Sequence, residues 1–495
     1  MSHWRISLVL GLLSPALFAA AAPQAPDAPR GVVLVIVDTL RYDRVGRATP
    51  RIERFAKDAT VFTAAHSQAP WSLPSATSLF TSMQPSRHGL LNRYVDFSAD
   101  PLVLARLGQV TPEARTIGEV FREDGWKTAA FTGGAGFAGE IGLSAGFDVY
   151  DDSPTFSGLD RTVPLALKWL STLKPSDRFL LIVHGYDVHP YRPGALKPDV
   201  LAAYKRMREA RLENKPVQST PAERKAIVAA YDKQVKEMDA RLAPLFARLD
   251  EKDLRDRVLV ALTADHGQEL FDRGGVDHGS TLFEEMLHVP LIVRLPGAAA
   301  SRVDSPARLV DLMPTFMDYA GIRADASLSS QMDGVSLRPL LEGRPLPLDS
   351  FAETDFLLSV SLRSVLTRDG WKAVLDRQTN KLSLYRLADD PGELKDVAAE
   401  HADVAASLGE RLRGAWKARG LDADGARRGI WKALRPQGKA LQLYDLSSDP
   451  YLTRDLADIK PELAADMSTE FGKASQQGYQ PSEALKRKLR EAGYW

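Results

Sequence analysis

Cysteine is absent from the 495 residues of this chain. Its absence excludes disulfides and a lipid carried on an N-terminal Cys, so the fold rests on core burial alone, for which this length is ample. An excess of charge of either sign is missing too: Lys plus Arg and Asp plus Glu each number 64, giving a formal net charge of zero. A balanced chain gives no support to sequence-independent binding of nucleic acid or of an anionic membrane. No nucleic-acid partner is expected, and any handling of anions is local. Beyond the N-terminus no stretch is long and apolar enough to cross a bilayer, so no stable membrane insertion is expected.

The N-terminus itself reads as a secretory signal spanning residues 1–22. Arg5 supplies the positive charge, Ile6 to Ala20 is apolar apart from Ser7 and Ser14, and Ala19 to Ala22 offers small residues for cleavage before Pro23. The run is short of the roughly 20 residues a spanning helix needs, and Pro15 interrupts it. The expected destination is periplasmic or secreted.

Composition is ordinary for a globular protein, with 44% hydrophobic and 26% charged residues. Apolar runs alternate with amphipathic stretches over residues 23–345. Val32 to Val37, Thr128 to Phe131, Phe179 to Val183, Val258 to Thr263 and Val289 to Val293 read as strands covered on both faces. Ile227, Tyr231, Val235, Met238, Leu242, Leu245 and Leu249 recur at steps of three and four and predict a long helix with one apolar face. The pattern predicts an α/β domain, a central mostly parallel sheet flanked by helices, with ligands at the carboxyl ends of the strands. Arg192 to Arg224 is polar and reads as a surface excursion near that edge.

Residues 346–495 differ in character and predict a smaller α+β domain. Thr367-Arg368-Asp369-Gly370-Trp371 carries an Asp-Gly turn between two candidate strands. Leu384-Tyr385-Arg386-Leu387 with Asp389-Asp390-Pro391 is echoed by Leu443-Tyr444-Asp445-Leu446 with Ser448-Asp449-Pro450. The echo predicts a duplicated strand–turn–helix element.

Two strand ends carry the chemistry. The run Gly31 to Val37 ends in Asp38, and Val258 to Thr263 leads into Ala264-Asp265-His266-Gly267. Each of these acids is also a common helix N-cap residue, but together they place O and N ligands for a divalent cation at one sheet edge. Asp with His suits Zn, Mn, Ca or Mg. Ser72, in Trp71-Ser72-Leu73-Pro74-Ser75, stands where a helix starts. There it can cap a helix read as Pro74 to Met83, or serve as a nucleophile stabilised by free N–H groups, the helix dipole and a cation. Of nine His in the chain, His184, His189, His266 and His278 fall in strand-end motifs. They are candidate ligands of a second cation or donors to a transferred group's oxygens. Asp187 is a further candidate ligand, and His66, His88, His288 and His401 read as structural.

The order of these motifs resembles the sulfatase family of the alkaline phosphatase superfamily. The resemblance rests on Val35-Ile36-Val37-Asp38-Thr39-Leu40-Arg41, Ala69-Pro70-Trp71-Ser72-Leu73-Pro74-Ser75, Pro85-Ser86-Arg87-His88-Gly89, Thr263-Ala264-Asp265-His266-Gly267, Leu287-His288-Val289-Pro290-Leu291-Ile292-Val293, and Leu384-Tyr385 with Asp390-Pro391-Gly392-Glu393. It implies one or two divalent ions at the sheet edge. Asp38, Asp265, His266 and Ser72 would be ligands of the cation, with Ser72 also in the nucleophile's place. His189 and His278 resemble the substrate or second-metal histidines of members with a hydroxyl nucleophile. Three departures stand out. Ala76 occupies the position of the Arg that guides conversion of Cys or Ser to formylglycine. Asp38-Thr39 replaces paired acids, and Lys-x-His is missing near Thr132 to Gly136. An unmodified Ser is suited to phosphoryl transfer, because a sulfated Ser is hard to hydrolyse. The expected function is an exported, cation-dependent hydrolase of phosphate mono- or diesters or of sulfate esters, acting on a small-molecule, lipid or glycan substrate. The alternative is a catalytically silent family member that binds an anionic glycan.

Overall fold

The computed structural model describes residues 28–90, 114–190, 192, 194–213, 215–356, 360–414, 423–428, 431–436, 442–445 and 456–461. The expected signal segment, 1–22, lies outside them. No helix among the described residues is long and apolar enough to cross a membrane.

β1 (Gly31–Val37) is the centre of the molecule. All seven of its residues are buried, as expected for an unbroken Val/Ile/Leu run covered on both faces. It pairs in parallel with β5 (Phe179–Gly185) on one side and β6 (Val258–Thr263) on the other, with Gly31 opposite Phe179 and Val258. Outward from β5 lie β3 (Lys127–Phe131) and β4 (Val149–Asp151), both parallel. Outward from β6 lie β9 (His288–Arg294), β2 (Thr60–His66) and β10 (Ser301–Val303), with the short β11 (Ala307–Arg308) also on β2. Only β9 runs against its neighbours. The sheet is therefore mixed and mostly parallel, flanked by helices, as the alternation of elements predicts. β2 and the short strands β4, β10 and β11 escape the sequence reading because they are short or broken by polar residues.

The helix Pro221–Leu249 buries Ile227, Tyr231, Val235, Met238, Leu242, Leu245 and Leu249, the face its periodicity predicts. Two expectations need correction. The helix read as Pro74 to Met83 spans Ser72–Thr81, with Trp71 in the cap position, so Ser72 is its first residue rather than its cap. The stretch 192–224 is not a featureless excursion. It contains the helix Pro198–Leu212, which buries Ala203, Tyr204 and Met207 and seats them beside a small hairpin, β7 (Glu269–Leu270) and β8 (Val276–Asp277).

Past residue 345 comes an antiparallel sheet in the order β12 (Ser350–Thr354), β13 (Leu362–Leu366), β14 (Trp371–Asp376), β15 (Leu382–Arg386). The helix Ala402–Gly414 covers one face of it, placing Ala405, Leu408 and Leu412 on Phe351, Val365, Ala373, Leu375 and Leu384. A second antiparallel sheet holds β16 (Ala423–Arg428), β17 (Trp431–Pro436) and β18 (Gln442–Asp445). Its register repeats the first. Trp371, Lys372 and Ala373 face Arg386, Tyr385 and Leu384, and Trp431, Lys432 and Ala433 face Asp445, Tyr444 and Leu443. The duplication thus reaches into the strand before each Leu-Tyr pair. The turn and helix of the second copy lie outside the described residues.

Candidate active site

Asp38 leaves the end of β1 with its N–H donating to the Gly185 carbonyl at 3.1 Å. One strand away, β6 delivers Asp265 and His266. The Ser72–Thr81 helix begins above both, tied down by Ser75 Oγ donating to the Asp265 carbonyl at 2.6 Å. Asp38, Ser72, Asp265 and His266 are all fully buried.

Ser72 Oγ donates to Asp38 Oδ2 at 2.8 Å and lies 3.2 Å from His266 Nε2. His266 Nδ1 sits 2.8 Å from the Gly267 carbonyl. A carbonyl only accepts, so Nδ1 carries the ring hydrogen and Nε2 turns its lone pair to Ser72. Asp265 Oδ1 accepts from the N–H groups of Thr39 (3.2 Å) and His266 (2.9 Å). Thr39 reaches that geometry with φ +58°. For a β-branched residue this left-handed conformation costs on the order of 1–3 kcal/mol, the kind of strain concentrated at functional sites.

The donor set fits a divalent cation. Asp38, Asp265 and His266 each offer one ligand atom, all within 4.8 Å of one another. Asp38 Oδ1 and Asp265 Oδ2 are buried with no hydrogen-bond partner. Burial, and then the charge of Asp265, pushes the Asp38 carboxyl well above its ordinary value. Two desolvated carboxylates side by side are costly, and a bound cation would neutralise both. The single hydroxyl proton of Ser72 cannot satisfy both Asp38 and His266, whereas a cation can be shared by Asp38, His266 and the Ser72 oxygen. Oxygen and imidazole donors are compatible with Zn, Mn, Mg or Ca.

The other histidines form a row leading away from this group. The rings of His266 and His278 have centroids 4.6 Å apart, and those of His278 and His189 5.3 Å. Phe156 stacks on His189. Burial pushes His189 down to about 3 and holds His278 well below its ordinary value, so both are neutral. His184 has the opposite tautomer to His266. Its Nδ1 accepts the Gly133 N–H at 3.2 Å, so Nε2 carries the hydrogen, and it stands 4.0 Å from Asp38 Oδ2 without a hydrogen bond.

Of the residues singled out from the sequence, Asp38, Ser72, Asp265 and His266 come together, and His189 and His278 adjoin them without joining the compact ligand group. Asp187 takes a different place from the one expected. Its Oδ1 pairs with Arg241 at 2.7 Å and its Oδ2 accepts the Leu159 N–H at 2.7 Å, so it is a latch between helices. His88 is structural, with Nδ1 accepting from Leu90 N–H and Nε2 facing Ser78 Oγ. Ala76, in the place of the family's Arg, is fully buried.

Sequence reasoning missed Gly136. A Cβ there would lie 2.5 Å from Ser72 Cβ, so the Gly133–Gly136 loop can press on Ser72 only because it lacks a side chain. It also missed Tyr204, Arg208 and Gln268, which surround His278. Only the position of Gln268, next to Asp265-His266-Gly267, could have signalled it.

A serine at a helix start, flanked by strand-end acids and imidazoles on a mostly parallel sheet, defines an α/β protein in which a hydroxyl meets donors that could hold a cation. The Sulfatase family model matches residues 30–322, and the chain belongs to the sulfatase family. A model of the C-terminal region of N-sulphoglucosamine sulphohydrolase matches residues 276–418. Arylsulfatase K of Mus musculus is 32% identical over 206 residues, 39% of this chain and 36% of that protein. Choline-sulfatase of Rhizobium meliloti is 28% identical over 199 residues, 36% of this chain and 38% of that protein. The matches thus span little more than a third of the length of these curated relatives. The fold is similar to a 2-O GAG sulfatase (TM-score 0.63, 21% identity, 78% of this chain and 91% of that one). It is also similar to the phosphonate monoester hydrolase of Agrobacterium radiobacter (TM-score 0.61, 20% identity, 78% and 95%).

Proposed function

We propose that this protein is a cation-dependent hydrolase that cleaves phosphate mono- or diesters through an unmodified Ser72. The observation that carries the reading is the Ser72 hydroxyl, held at 2.8 Å from Asp38 and 3.2 Å from His266 at the start of a ten-residue helix. A bound cation would lower the hydroxyl's pKa and draw electron density from the ester. Ser72 Oγ attacks phosphorus as its proton passes to Asp38, the bond to the alcohol breaks and the alcohol leaves carrying that proton; water then cleaves the serine phosphoester, releasing the phosphate and returning a proton to Ser72 Oγ. Asp38 receives the Ser72 proton, Asp265 fixes the His266 backbone, and the Nε2–H of His184 stands beside Asp38.

Two features support phosphate over sulfate. Ala76 is sealed in the helix where the family's Arg would guide formation of formylglycine. The glycine loop, free of Lys and His, covers Ser72. The relatives include sulfatases, and a sulfate ester cleaved through a modified Ser72 is the competing outcome. Export to the periplasm or beyond belongs to the same proposal and rests on Arg5 and the apolar run Ile6–Ala20.

Peptide mass spectrometry of Ser72 in protein from its native host, before and after incubation with an aryl phosphate and an aryl sulfate, tests the proposal. The expected result is unmodified Ser72 that gains a phosphoryl mass. Loss of two hydrogens at Ser72 would show formylglycine and establish the sulfatase chemistry instead. Unlabelled Ser72 with no turnover of either ester would favour a silent glycan-binding member.

A further inference from the structure

The hydrogen bonds behind His278 run in one direction only. Tyr204 OH donates to Asp277 Oδ1 at 3.2 Å, and Asp277 is paired with Arg208 Nε at 2.6 Å. A carboxylate only accepts, so the single Tyr204 proton is committed to it. The Tyr204 oxygen therefore receives the Gln268 Nε2–H at 2.9 Å. That fixes the Gln268 amide with Oε1 turned to His278, 2.8 Å from Nδ1. A second acceptor, Asp277 Oδ1, stands 3.4 Å from the same nitrogen. Facing two acceptors, Nδ1 carries the hydrogen and Nε2 keeps the lone pair.

The chain is built for this. Asp277 adopts φ +85°, held there by its pairing with Glu269 across the β7–β8 hairpin and by Arg211 Nη1 donating to the Val276 carbonyl at 2.9 Å. Tyr204, Arg208 and Arg211 all come from the Pro198–Leu212 helix. Tyr204, Gln268, Asp277 and His278 are each at least 95% buried, so water does not offer an easy alternative partner.

We propose that Gln268, oriented by Tyr204 and Asp277, is a positioning residue that locks the tautomer of His278, so that His278 enters the site as an Nε2 electron-pair donor. In that tautomer His278 accepts a hydrogen bond or a cation at Nε2 and does not donate to the ester's oxygens. The Nε2–H of His184, 4.0 Å from Asp38 Oδ2, has the opposite polarity. The catalytic consequence rests on the hydrolase reading above, while the tautomer itself does not.

The test is long-range 1H–15N NMR of the imidazoles in cation-free, 15N-His-labelled protein, with His278 assigned by its loss in His278→Gln. The expected wild-type pattern has hydrogen on Nδ1 and a bare Nε2. Gln268→Leu is expected to give a tautomer mixture, and Gln268→Glu, which still accepts from Nδ1–H, to restore the wild-type pattern. In the hydrolytic assay Gln268→Leu is expected to lower kcat at least about tenfold with little change in KM, with partial recovery in Gln268→Glu. If Gln268→Leu fails to fold, Tyr204→Phe frees the amide to rotate and is expected to give the same mixture. A wild-type ring protonated at Nε2, or an unchanged tautomer in a folded Gln268→Leu or Tyr204→Phe, overturns the proposal. The expected NMR pattern without any turnover would leave the positioning intact and sink the hydrolase reading.

Discussion

Replacing Asp38 by Asn separates the stability of the fold from the binding of the cation, because the two make opposite demands on this carboxylate. Without a cation, Asp38 and Asp265 are two fully buried like charges, and burial followed by the Asp265 charge pushes Asp38 well above its ordinary value. A carboxyl whose folded value is raised contributes stability below its unfolded value of about 4 and loses it as pH rises through the folded value. At neutral pH the chelated wild type therefore carries a penalty that the D38N variant lacks. The introduced amide can also donate to the unpartnered Asp265 Oδ2. The expected result in chelator at pH 7.5 is that D38N melts no lower than the wild type. Adding Zn, Mn, Mg or Ca at 100 times its Kd stabilises the wild type by about 2.7 kcal/mol. At roughly 2 °C per kcal/mol for a chain of this size that is a rise of about 5 °C, and D38N is expected to show little of it. Differential scanning fluorimetry with and without chelator reads both. A wild type indifferent to all four cations, or a D38N protein that melts far below it in chelator, would refute the cation cage.

Other perturbations have equally definite outcomes. Gly136→Ala puts a methyl 2.5 Å from Ser72 Cβ, and a displacement of that kind is expected to cost about 100-fold in kcat; unchanged turnover would show that the loop does not position Ser72. Lys372→Met removes the ammonium that stands 2.8 Å from both Glu284 and Glu393, leaving Glu284 with His66 at 3.0 Å and Glu393 with Arg273 at 3.7 Å, and a loss of about 3 kcal/mol in urea unfolding is expected. A loss under about 1 kcal/mol would mean that the cluster is better solvated than its burial implies. His88 is held down to about 3 by burial, so the unfolded chain binds its proton first as pH falls below about 6.5 and stability drops toward pH 3. His88→Gln is expected to flatten the denaturation midpoint between pH 6 and 4, and a slope equal to the wild type's would place the acid sensitivity elsewhere.

The parts of the site that rest on one short segment were legible in the sequence. Asp38, Asp265 and His266 follow unbroken apolar runs, and such runs become central strands whose ends define the sheet edge. Parts that depend on distant partners were not. Asp187 looks like a ligand until Arg241, 54 residues away, closes on it. Tyr204 sits in a stretch whose charged surface hides a short buried face, and its contact with Gln268 spans 64 residues. The first residue of the Ser72 helix was misplaced by two positions because Pro74 reads as an early helical residue, and Pro is tolerated through the first turn. β2 was missed since Thr60, Thr63 and His66 leave it no apolar run longer than two residues.

The sheet that begins at Ser350 is not a detachable appendage. Its Glu353 N–H bonds the Gln68 carbonyl at 2.9 Å, just ahead of Ser72. Thr354 Oγ1 bonds the Gly279 carbonyl at 2.6 Å, just after His278. Lys372 reaches back to Glu284, before β9. Both arms of the candidate site are thus buttressed from the far side of residue 345. A protein cut at that point would keep every candidate ligand and lose the walls that hold them. Grafting this region between relatives as an interchangeable cassette would carry the same defect, because the bonds across that point are made by particular pairs, Glu353 with Gln68 and Thr354 with Gly279.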